Sequence, residues 1–349
     1  MILSDGIPVL LTDCVFMDHS LYCAAPDRYE NGMKYVRCGR SGIELPAVSL
    51  GLWHNFGSVD NFETALKIAR CAFDNGITCF DLANNYGPEY GSAEENFGRI
   101  MDNSFRRYRD ELFITTKAGY DMWPGPYGNW GSRKYLFSSL DQSLKRMRIE
   151  YADLFYSHRY DPVTPLEETL QALVDIVRSG KALYIGISNY PQETLDFVFS
   201  YLRSHDTPCL VYQGRYNLLD RHVEESGILK SCADAGVGFT AFSPLAQGLL
   251  TDRYLNGIPQ CSRMARNFFL KKDVLTPDLL ERIRELERIA SGRGQTLSAM
   301  ALSWLLKDGL VTSVLTGASS PEQLKANIKA VGNTSFSAEE LSAIDDMLK

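Results

Sequence analysis

From about residue 44 onward, the chain alternates short, β-rich apolar runs with longer amphipathic stretches. In the first long stretch the apolar side chains follow the three-and-four spacing of one buried helix face: Phe62, Ala65, Leu66, Ala69 and Phe73. The short runs predict strands at 45–50, 77–82, 112–117, 153–158, 182–188, 209–213, 237–243 and 311–316. The long stretches predict helices at 61–75, 93–101, 132–148, 166–179, 192–202, 224–235, 277–291, 297–307, 321–331 and 337–348, with Ser132 as an N-cap.

Eight strand–helix units in one chain predict a closed parallel barrel, the (β/α)8 TIM barrel, as a single domain over residues 34–349. The alternation alone also allows a doubly wound open sheet. No G-x-G-x-x-G turn follows the first predicted strand, so the dinucleotide fingerprint of that alternative is missing. Residues 1–33 do not join the pattern and are expected to form an N-terminal extension of unknown role.

The composition of the chain limits its partners and its compartment. The net charge is −7 and there is no long Lys/Arg run, so nucleic acid is not an expected partner. The eight cysteines include no C-x-x-C pair, which argues against a zinc site, and free thiols in this number indicate a reducing compartment. No segment approaches the roughly 20 apolar residues of a membrane span, and no secretory signal is recognisable. We therefore expect a cytoplasmic protein with no metal and no membrane partner.

Four ionisable side chains fall at the carboxyl ends of three neighbouring predicted strands, the face on which such barrels carry catalytic groups. Asp81 and Tyr86 follow the second strand, Lys117 ends the third and His158 ends the fourth. A carbonyl that accepts a hydride develops negative charge on oxygen and needs a proton donor. Tyr86 is a candidate donor because Lys117, held in place by Asp81, would lower its pKa. Taken singly, each of these residues is more often a packing or solvated residue, so the hypothesis depends on the set.

His158 is the candidate that would donate a hydrogen bond to the carbonyl oxygen and orient it. With the ordinary imidazole pKa of about 6.5, it would be partly protonated near neutral pH.

These residues and three further motifs resemble the aldo-keto reductase family. The set matches the family's Asp-Tyr-Lys-His tetrad through DLANNYG at 81–87, Lys117 and His158. The other motifs are GKALYIGISN at 180–189, SPLAQGLL at 243–250 and GASSPEQLKAN at 317–327. The resemblance runs from about residue 34 to the end of the chain.

Within the family, residues 51–57, 117–128 and 255–259 are similar to a bacterial branch that reduces L-glyceraldehyde 3-phosphate. That branch is related to the β subunits of voltage-gated potassium channels. Those subunits commonly carry Asn where this chain has His158, which favours an enzyme.

The resemblance implies NADPH as the cofactor, bound extended across the barrel mouth without a Rossmann motif. It implies that Phe242 stacks on the nicotinamide and that the backbone of residues 243–248 wraps the pyrophosphate. Many members carry Arg where this chain has Gln323, and Arg263 matches a phosphate-binding Arg of the channel-subunit branch, so Arg263 is the candidate for the 2′-phosphate. NADPH is favoured over NADH. The implied cofactor residues are Trp53, Ser188, Asn189, Gln213, Phe242, Ser243, Pro244, Leu245, Ala246, Gly248, Arg253, Arg263, Gly317, Ser319, Gln323 and Asn327.

Aromatic side chains in the loops after the first and third strands predict a small pocket that excludes water. The substrate candidates are Trp53, His54, Trp123 and Tyr127, with Trp130 nearby. A phosphorylated aldehyde would need a cationic partner, for which the candidates are His54, Arg133 and Arg159.

The resemblance thus implies NADPH-dependent reduction of short aldehydes such as L-glyceraldehyde 3-phosphate or methylglyoxal, by a homo-oligomer. One alternative is a redox-sensing NADPH-binding subunit of the channel-β type. Another is a barrel hydrolase or an aldolase-type enzyme in which Lys117 forms a Schiff base. The pairing of Lys117 with Asp81 argues against the aldolase, because a salt-bridged lysine stays protonated.

Overall fold

A short hairpin precedes a closed ring of parallel strands in the computed structural model, which describes residues 22–255, 257–258 and 272–348. The hairpin strands are β1 (Tyr35–Arg37) and β2 (Glu44–Pro46). The barrel strands are β3 (Val48–Gly51), β4 (Cys79–Asp81), β5 (Phe113–Ala118), β6 (Ala152–Ser157), β7 (Ala182–Ser188), β8 (Val211–Arg215), β9 (Gly238–Phe242) and β10 (Ser313–Thr316). Because β10 pairs with both β9 and β3, the sheet has no edge. The predicted (β/α)8 TIM barrel is confirmed and the open sheet is excluded.

The helices flank the barrel and follow the predicted pattern closely. Their bounds are α1 (Phe62–Asp74), α2 (Ser92–Ile100), α3 (Arg133–Met147), α4 (Leu166–Arg178), α5 (Leu195–Ser204), α6 (His222–Glu225), α7 (Ile228–Ala235), α8 (Pro277–Gly292), α9 (Leu297–Leu305), α10 (Pro321–Ile328) and α11 (Ala338–Leu348). The hydroxyl of Ser132 accepts a hydrogen bond from the Tyr135 amide, as the predicted N-cap requires.

One predicted strand, at 45–50, is in fact two. Ala47 is the junction: its amide donates to the Lys34 carbonyl at 2.8 Å, on the hairpin side. Its carbonyl accepts from the Val314 amide at 2.9 Å, on the barrel side. The apolar run is therefore continuous, but its hydrogen bonds change partner from the antiparallel hairpin to the parallel barrel within one residue.

Two further differences from the predicted pattern have local reasons. The predicted helix at 224–235 is divided into α6 and α7 at Gly227, whose φ of +85° lies in the left-handed region. Beyond α2, the chain continues through a π-helical turn (Met101–Phe105) and a 3-10 segment (Arg106–Glu111) that the periodicity did not predict.

The hairpin packs against the amino-terminal ends of the barrel strands. Cys38 and Leu45 form a buried cluster with Leu154 and Tyr156 of β6 and with the start of β8. The Cys38 thiol donates to the Leu210 carbonyl at 3.4 Å. This end of the barrel is therefore filled with apolar side chains, and the carboxyl ends of the strands are left to form a cleft.

The described part of the N-terminal segment is attached to the outside of the barrel. The Tyr22 hydroxyl and the Ala25 amide both donate to Asp74 Oδ1, at 2.6 and 2.9 Å. Arg28 forms an ion pair with Glu111 at 2.5 Å. Residues 22–33 thus contact α1 and the 3-10 segment, while residues 1–21 lie outside the described part of the chain.

Candidate active site

Four residues predicted from strand ends meet at the carboxyl end of the barrel. Asp81 is the last residue of β4, and Lys117 lies near the end of β5. Tyr86 lies in the loop after β4, and His158 directly follows β6. Because neighbouring parallel strands end at the same face, the fold brings these side chains together.

The ammonium of Lys117 is fully buried and joins three groups. Its Nζ atom donates to Asp81 Oδ2 at 2.6 Å, to the Leu82 carbonyl at 2.6 Å and to the Tyr86 hydroxyl at 3.1 Å. Burial alone would lower the pKa of Lys117, but the charge of Asp81 and these hydrogen bonds raise it above its ordinary value. Lys117 is therefore a fixed positive charge beside a phenol.

The other oxygen of the Asp81 carboxylate is held as firmly as the first. Its Oδ1 atom accepts from the Thr115 hydroxyl at 2.8 Å and from Gln213 Nε2 at 2.9 Å. Gln213, one of the cofactor residues that the resemblance implies, thus lies beside the carboxylate in this structure. These bonds fix the direction in which Asp81 faces Lys117.

Tyr86 keeps its proton in this setting. Burial of its hydroxyl raises the pKa of Tyr86 above the ordinary value, the Lys117 charge opposes that rise, and Asp81 adds to it. The group is therefore protonated at neutral pH. A protonated phenol that touches an ammonium can give up its proton to a nearby oxygen, because the phenolate left behind is stabilised.

His158 is neutral, which corrects the expectation of partial protonation. Burial, the Lys117 charge and the Arg159 charge, in that order, hold the pKa of His158 well below its ordinary value. Its ring lies edge-to-face against Tyr86 at 6.0 Å and against Tyr120 at 4.7 Å between centroids. Its Nδ1 atom is buried without a hydrogen-bond partner among the described residues. The imidazole can therefore donate a hydrogen bond from its single N–H but carries no charge.

A cleft of about 140 Å³ opens over this group and extends along the ends of β9 and β10. It contains nine of the predicted cofactor residues: Trp53, Phe242, Ser243, Pro244, Leu245, Gly248, Arg253, Gly317 and Gln323. Asp81 and Tyr86 line the same cleft, so these two members of the tetrad and this set are brought together.

The other predicted cofactor residues that the structure describes do not line that cleft. Ser188 ends β7 and is buried, and the Asn189 amide donates to the Ser188 hydroxyl at 3.0 Å and to the His158 carbonyl at 3.1 Å. Ala246 lies in the loop after β9, and Ser319 donates to Gln323 Oε1 from both its amide and its hydroxyl. Asn327 lies one turn further along α10. Arg263 lies outside the described residues.

The loop after β9 has an unusual backbone. Ser243, Ala246 and Gln247 have φ values of +53°, +46° and +57°, in the left-handed region that side-chain-bearing residues seldom adopt. Such conformations cluster where a backbone is shaped to meet a ligand. Residues 243–248 therefore suit the wrapping of a phosphate group by backbone amides.

Two buried polar atoms, one in this loop and one in α10, also fit a bound dinucleotide. Gln247 Oε1 and Asn327 Nδ2 are buried and have no hydrogen-bond partner within the described part of the chain. An unpaired buried polar atom costs stability unless something else completes it. An acceptor in the cleft lining and a donor in α10 that lack partners are consistent with a ligand rich in both. Gln247 was missed by the sequence analysis, although it lies inside the SPLAQGLL motif.

Of the four predicted substrate residues, two line the cleft. Trp53 and His54 line the cleft, and the Trp53 ring lies 6.3 Å from the Tyr86 ring. Trp123 packs on Tyr135 of α3 at 5.3 Å, and Tyr127 is exposed, so neither belongs to the cleft lining. Tyr120, which contacts His158, was missed, because nothing in the spacing separates it from the aromatic residues around it.

A buried Asp-Tyr-Lys-His set at the mouth of a parallel barrel, beside a cleft, is the arrangement expected of a barrel oxidoreductase. A family model described as "Aldo/keto reductase family" matches residues 47–349. The chain belongs to the aldo-keto reductase family, and the resemblance noted in its motifs is confirmed.

Two relatives show which members of the family this chain resembles. The chain is 58% identical over 329 residues to L-glyceraldehyde 3-phosphate reductase of Escherichia coli strain K12, covering 93% of this chain and 95% of the relative. It is 35% identical over 304 residues to a probable voltage-gated potassium channel subunit beta of Arabidopsis thaliana, covering 86% and 91% of the two chains. These relatives and the family match support an oxidoreductase of the kind that uses a nicotinamide cofactor.

Among residues 22–255, 257–258 and 272–348, no helix has the length and apolar character to cross a bilayer. No group of three or more His, Cys, Asp or Glu side chains there is arranged to hold a metal ion.

Proposed function

We propose that this chain reduces short aldehydes with NADPH, with Tyr86 as the general acid and with L-glyceraldehyde 3-phosphate and methylglyoxal among its substrates. The observation that carries the proposal is the contact of the Lys117 ammonium with both Asp81 (2.6 Å) and the Tyr86 hydroxyl (3.1 Å) inside the cleft wall. The substrate class is supported by the 58% identity to a named L-glyceraldehyde 3-phosphate reductase. Its location in the cytoplasm remains a prediction from the composition, and its assembly as a homo-oligomer remains a prediction from the resemblance.

The chemistry divides between the cofactor and the chain. The cleft residues would hold a reduced nicotinamide, which would supply a hydride to the carbonyl carbon. Tyr86 gives its proton to the carbonyl oxygen as negative charge develops there. Lys117 stabilises the phenolate that remains, and Asp81 keeps Lys117 protonated and in place. The neutral His158 donates a hydrogen bond to the same oxygen and orients it.

The aldolase-type alternative conflicts with the state of Lys117. A lysine must lose its proton before its nitrogen can attack a carbonyl. Lys117 is fully buried and paired with Asp81, and its pKa is raised above the ordinary value. Its nitrogen therefore stays protonated and is not available as a nucleophile.

NADPH is proposed as the cofactor because the residues in and near the cleft are suited to hold it. Residues 243–248 and Arg253 would hold the pyrophosphate, and Phe242 would stack on the nicotinamide. The amide at Asn327, open and buried, would bind the adenosine end. The 2′-phosphate would be read by Arg263, since Gln323 carries no charge and is engaged with Ser319.

The second candidate, a redox-sensing NADPH-binding subunit, is supported by the 35% identity to channel β subunits. The two functions differ in turnover. A sensor would retain NADPH tightly and oxidise it slowly, whereas a metabolic reductase would turn over repeatedly.

The test is a steady-state assay of the purified chain with a panel of short aldehydes and either NADPH or NADH. The proposal expects repeated turnover, one NADPH consumed per alcohol formed, and higher kcat/KM with NADPH than with NADH. A single stoichiometric oxidation of NADPH followed by arrest would support the sensor instead.

A further inference from the structure

Arg133 and Arg159, two of the cationic side chains that the sequence predicts as partners for a phosphorylated substrate, have different surroundings in the structure. Arg133, the first residue of α3, forms an ion pair with Asp175 of α4, so its charge is neutralised in the outer helical layer. Arg159, directly after His158, has no carboxylate within ion-pairing distance in the described part of the chain. Its positive charge therefore lies at the barrel mouth without a countercharge from any residue that the structure describes.

The Arg159 side chain is held rigidly in place. Its Nε donates to the Gly119 carbonyl at 2.7 Å and its Nη2 to Asn129 Oδ1 at 2.8 Å. Its guanidinium contacts two aromatic rings, with its Cζ atom 4.3 Å from the centroid of Tyr120 and 3.6 Å from that of Trp130. A guanidinium fixed in this way loses little further conformational entropy when it binds an anion.

Part of this guanidinium remains available for a ligand. Its Nη1 atom makes no hydrogen bond to any described residue, so its two N–H donors are open. The neighbouring carboxylate of Asp121 is bonded to the Asn129 amide at 2.5 Å and not to the guanidinium. Arg159 thus offers a charge and free donors, which is the combination that recognises a phosphate or carboxylate.

Arg159 is also linked by contact to the reacting groups. Tyr120 lies between the guanidinium and the His158 ring, which in turn lies against Tyr86. The chain at residue 119 approaches His158 closely, and this requires a glycine, because a Cβ atom on Gly119 would come within 2.9 Å of the Cβ of His158. A substrate whose carbonyl is bound at Tyr86 and His158, and which extends past Tyr120, would reach the cation.

We propose that Arg159 binds an anionic group of the substrate and makes this reductase select short aldehydes that carry a phosphate near the carbonyl. This inference rests on the proposed aldehyde reduction and adds the residue that sets the substrate class. Neutral aldehydes such as methylglyoxal use the same tetrad but forgo the contact with Arg159.

The test compares kcat/KM for L-glyceraldehyde 3-phosphate and for uncharged L-glyceraldehyde in the full-length chain. In Arg159→Met the ratio of the two values should fall by about ten- to a hundredfold, mainly through KM for the phosphorylated substrate, because one charged hydrogen-bonded contact is lost. Arg159→Lys keeps the charge and should retain part of the ratio. The control is Arg133→Met, which removes an arginine paired elsewhere and should leave the ratio as in the parent.

Equal losses for both aldehydes in Arg159→Met would overturn the inference, since they would mean that Arg159 only holds the loop in place. A second measurement covers a variant that folds poorly. In the parent protein, KM for the phosphorylated aldehyde should rise with ionic strength more than KM for the uncharged one, and equal responses would also overturn the inference. If the parent reduces neither aldehyde, the proposed function itself fails, which is a different result from an unchanged ratio.

Discussion

The ammonium of Lys117 lies 3.1 Å from the phenolic oxygen of Tyr86, and this hydrogen bond joins a fixed charge to the proposed proton donor. Burial pushes the pKa of Tyr86 up, while Lys117 opposes that shift. The balance keeps the phenol protonated at neutral pH yet lets it release its proton to a developing alkoxide.

Replacing Lys117 by Met should expose this balance in the pH profile. Without the ammonium, the pKa of Tyr86 rises further, so the phenolate needed for alcohol oxidation forms only at higher pH. The alkaline rise of the oxidation rate should therefore shift upward, and aldehyde reduction should slow by about 10² to 10⁴. The measurement is kcat against pH in both directions. An oxidation profile with its rise at the parental pH would argue that Lys117 does not act on Tyr86.

Most of the barrel could be predicted because its strands and helices have distinct hydrophobic periods. The predicted bounds 182–188 and the observed β7 (Ala182–Ser188) coincide. The division at Ala47 could not be predicted, because an unbroken apolar run does not show where its hydrogen bonds change partner. The split at Gly227 depends on a left-handed backbone conformation, and glycine allows this without requiring it.

The tetrad could be predicted from the sequence because its members fall at strand ends, whose positions the periodicity fixes. Side chains in the long loop after β5 could not be assigned in this way. Trp123 packs against Tyr135 of α3, whereas Tyr120 contacts both Arg159 and His158. Loop aromatics are placed by contacts distant in sequence, and spacing carries no information about those contacts.

His158→Asn should separate chemistry from stability. The variant keeps a hydrogen-bond donor but alters its position, so we expect a large fall in kcat with little change in NADPH affinity.

The histidine also makes the stability of the folded chain depend on pH. Its folded pKa lies well below 6.5, so the unfolded chain binds a proton that the folded chain does not, and stability falls as pH drops below about 6.5.

The pH effect has a measurable size and an internal control. Between pH 7 and pH 5.5, the parent should lose about 1 kcal/mol more unfolding free energy than His158→Asn, from the linkage of one proton. Urea unfolding at the two pH values measures this difference. Identical losses in parent and variant would show that His158 titrates alike in the folded and unfolded chains.

The cofactor preference should respond to charge at Gln323. Gln323→Arg places a cation at the start of α10 and should tighten NADPH binding by about tenfold or more, with little effect on NADH. Gln323→Met is the matched control, because it also removes the bonds to Ser319 but adds no charge. Fluorescence titration with both cofactors measures the change. Tightening of both cofactors alike would mean that position 323 does not face the 2′-phosphate.

The proposed 2′-phosphate contact at Arg263 has its own test. Arg263→Ala should weaken NADPH more than NADH, by about 1.5 to 3 kcal/mol if one charged hydrogen bond is lost. The same titration measures it. Equal weakening of the two cofactors would exclude Arg263 as the reader of that phosphate.

The central claim is that Tyr86 donates the proton in aldehyde reduction, and Tyr86→Phe tests it most directly. The variant removes one hydroxyl from the cleft wall and keeps the ring that packs beside Trp53. The measurement is single-turnover oxidation of bound NADPH at a saturating short aldehyde, together with NADPH affinity by fluorescence. The account predicts a fall of about 10² to 10⁴ in the single-turnover rate with nearly parental affinity. A single-turnover rate equal to that of the parent would contradict it.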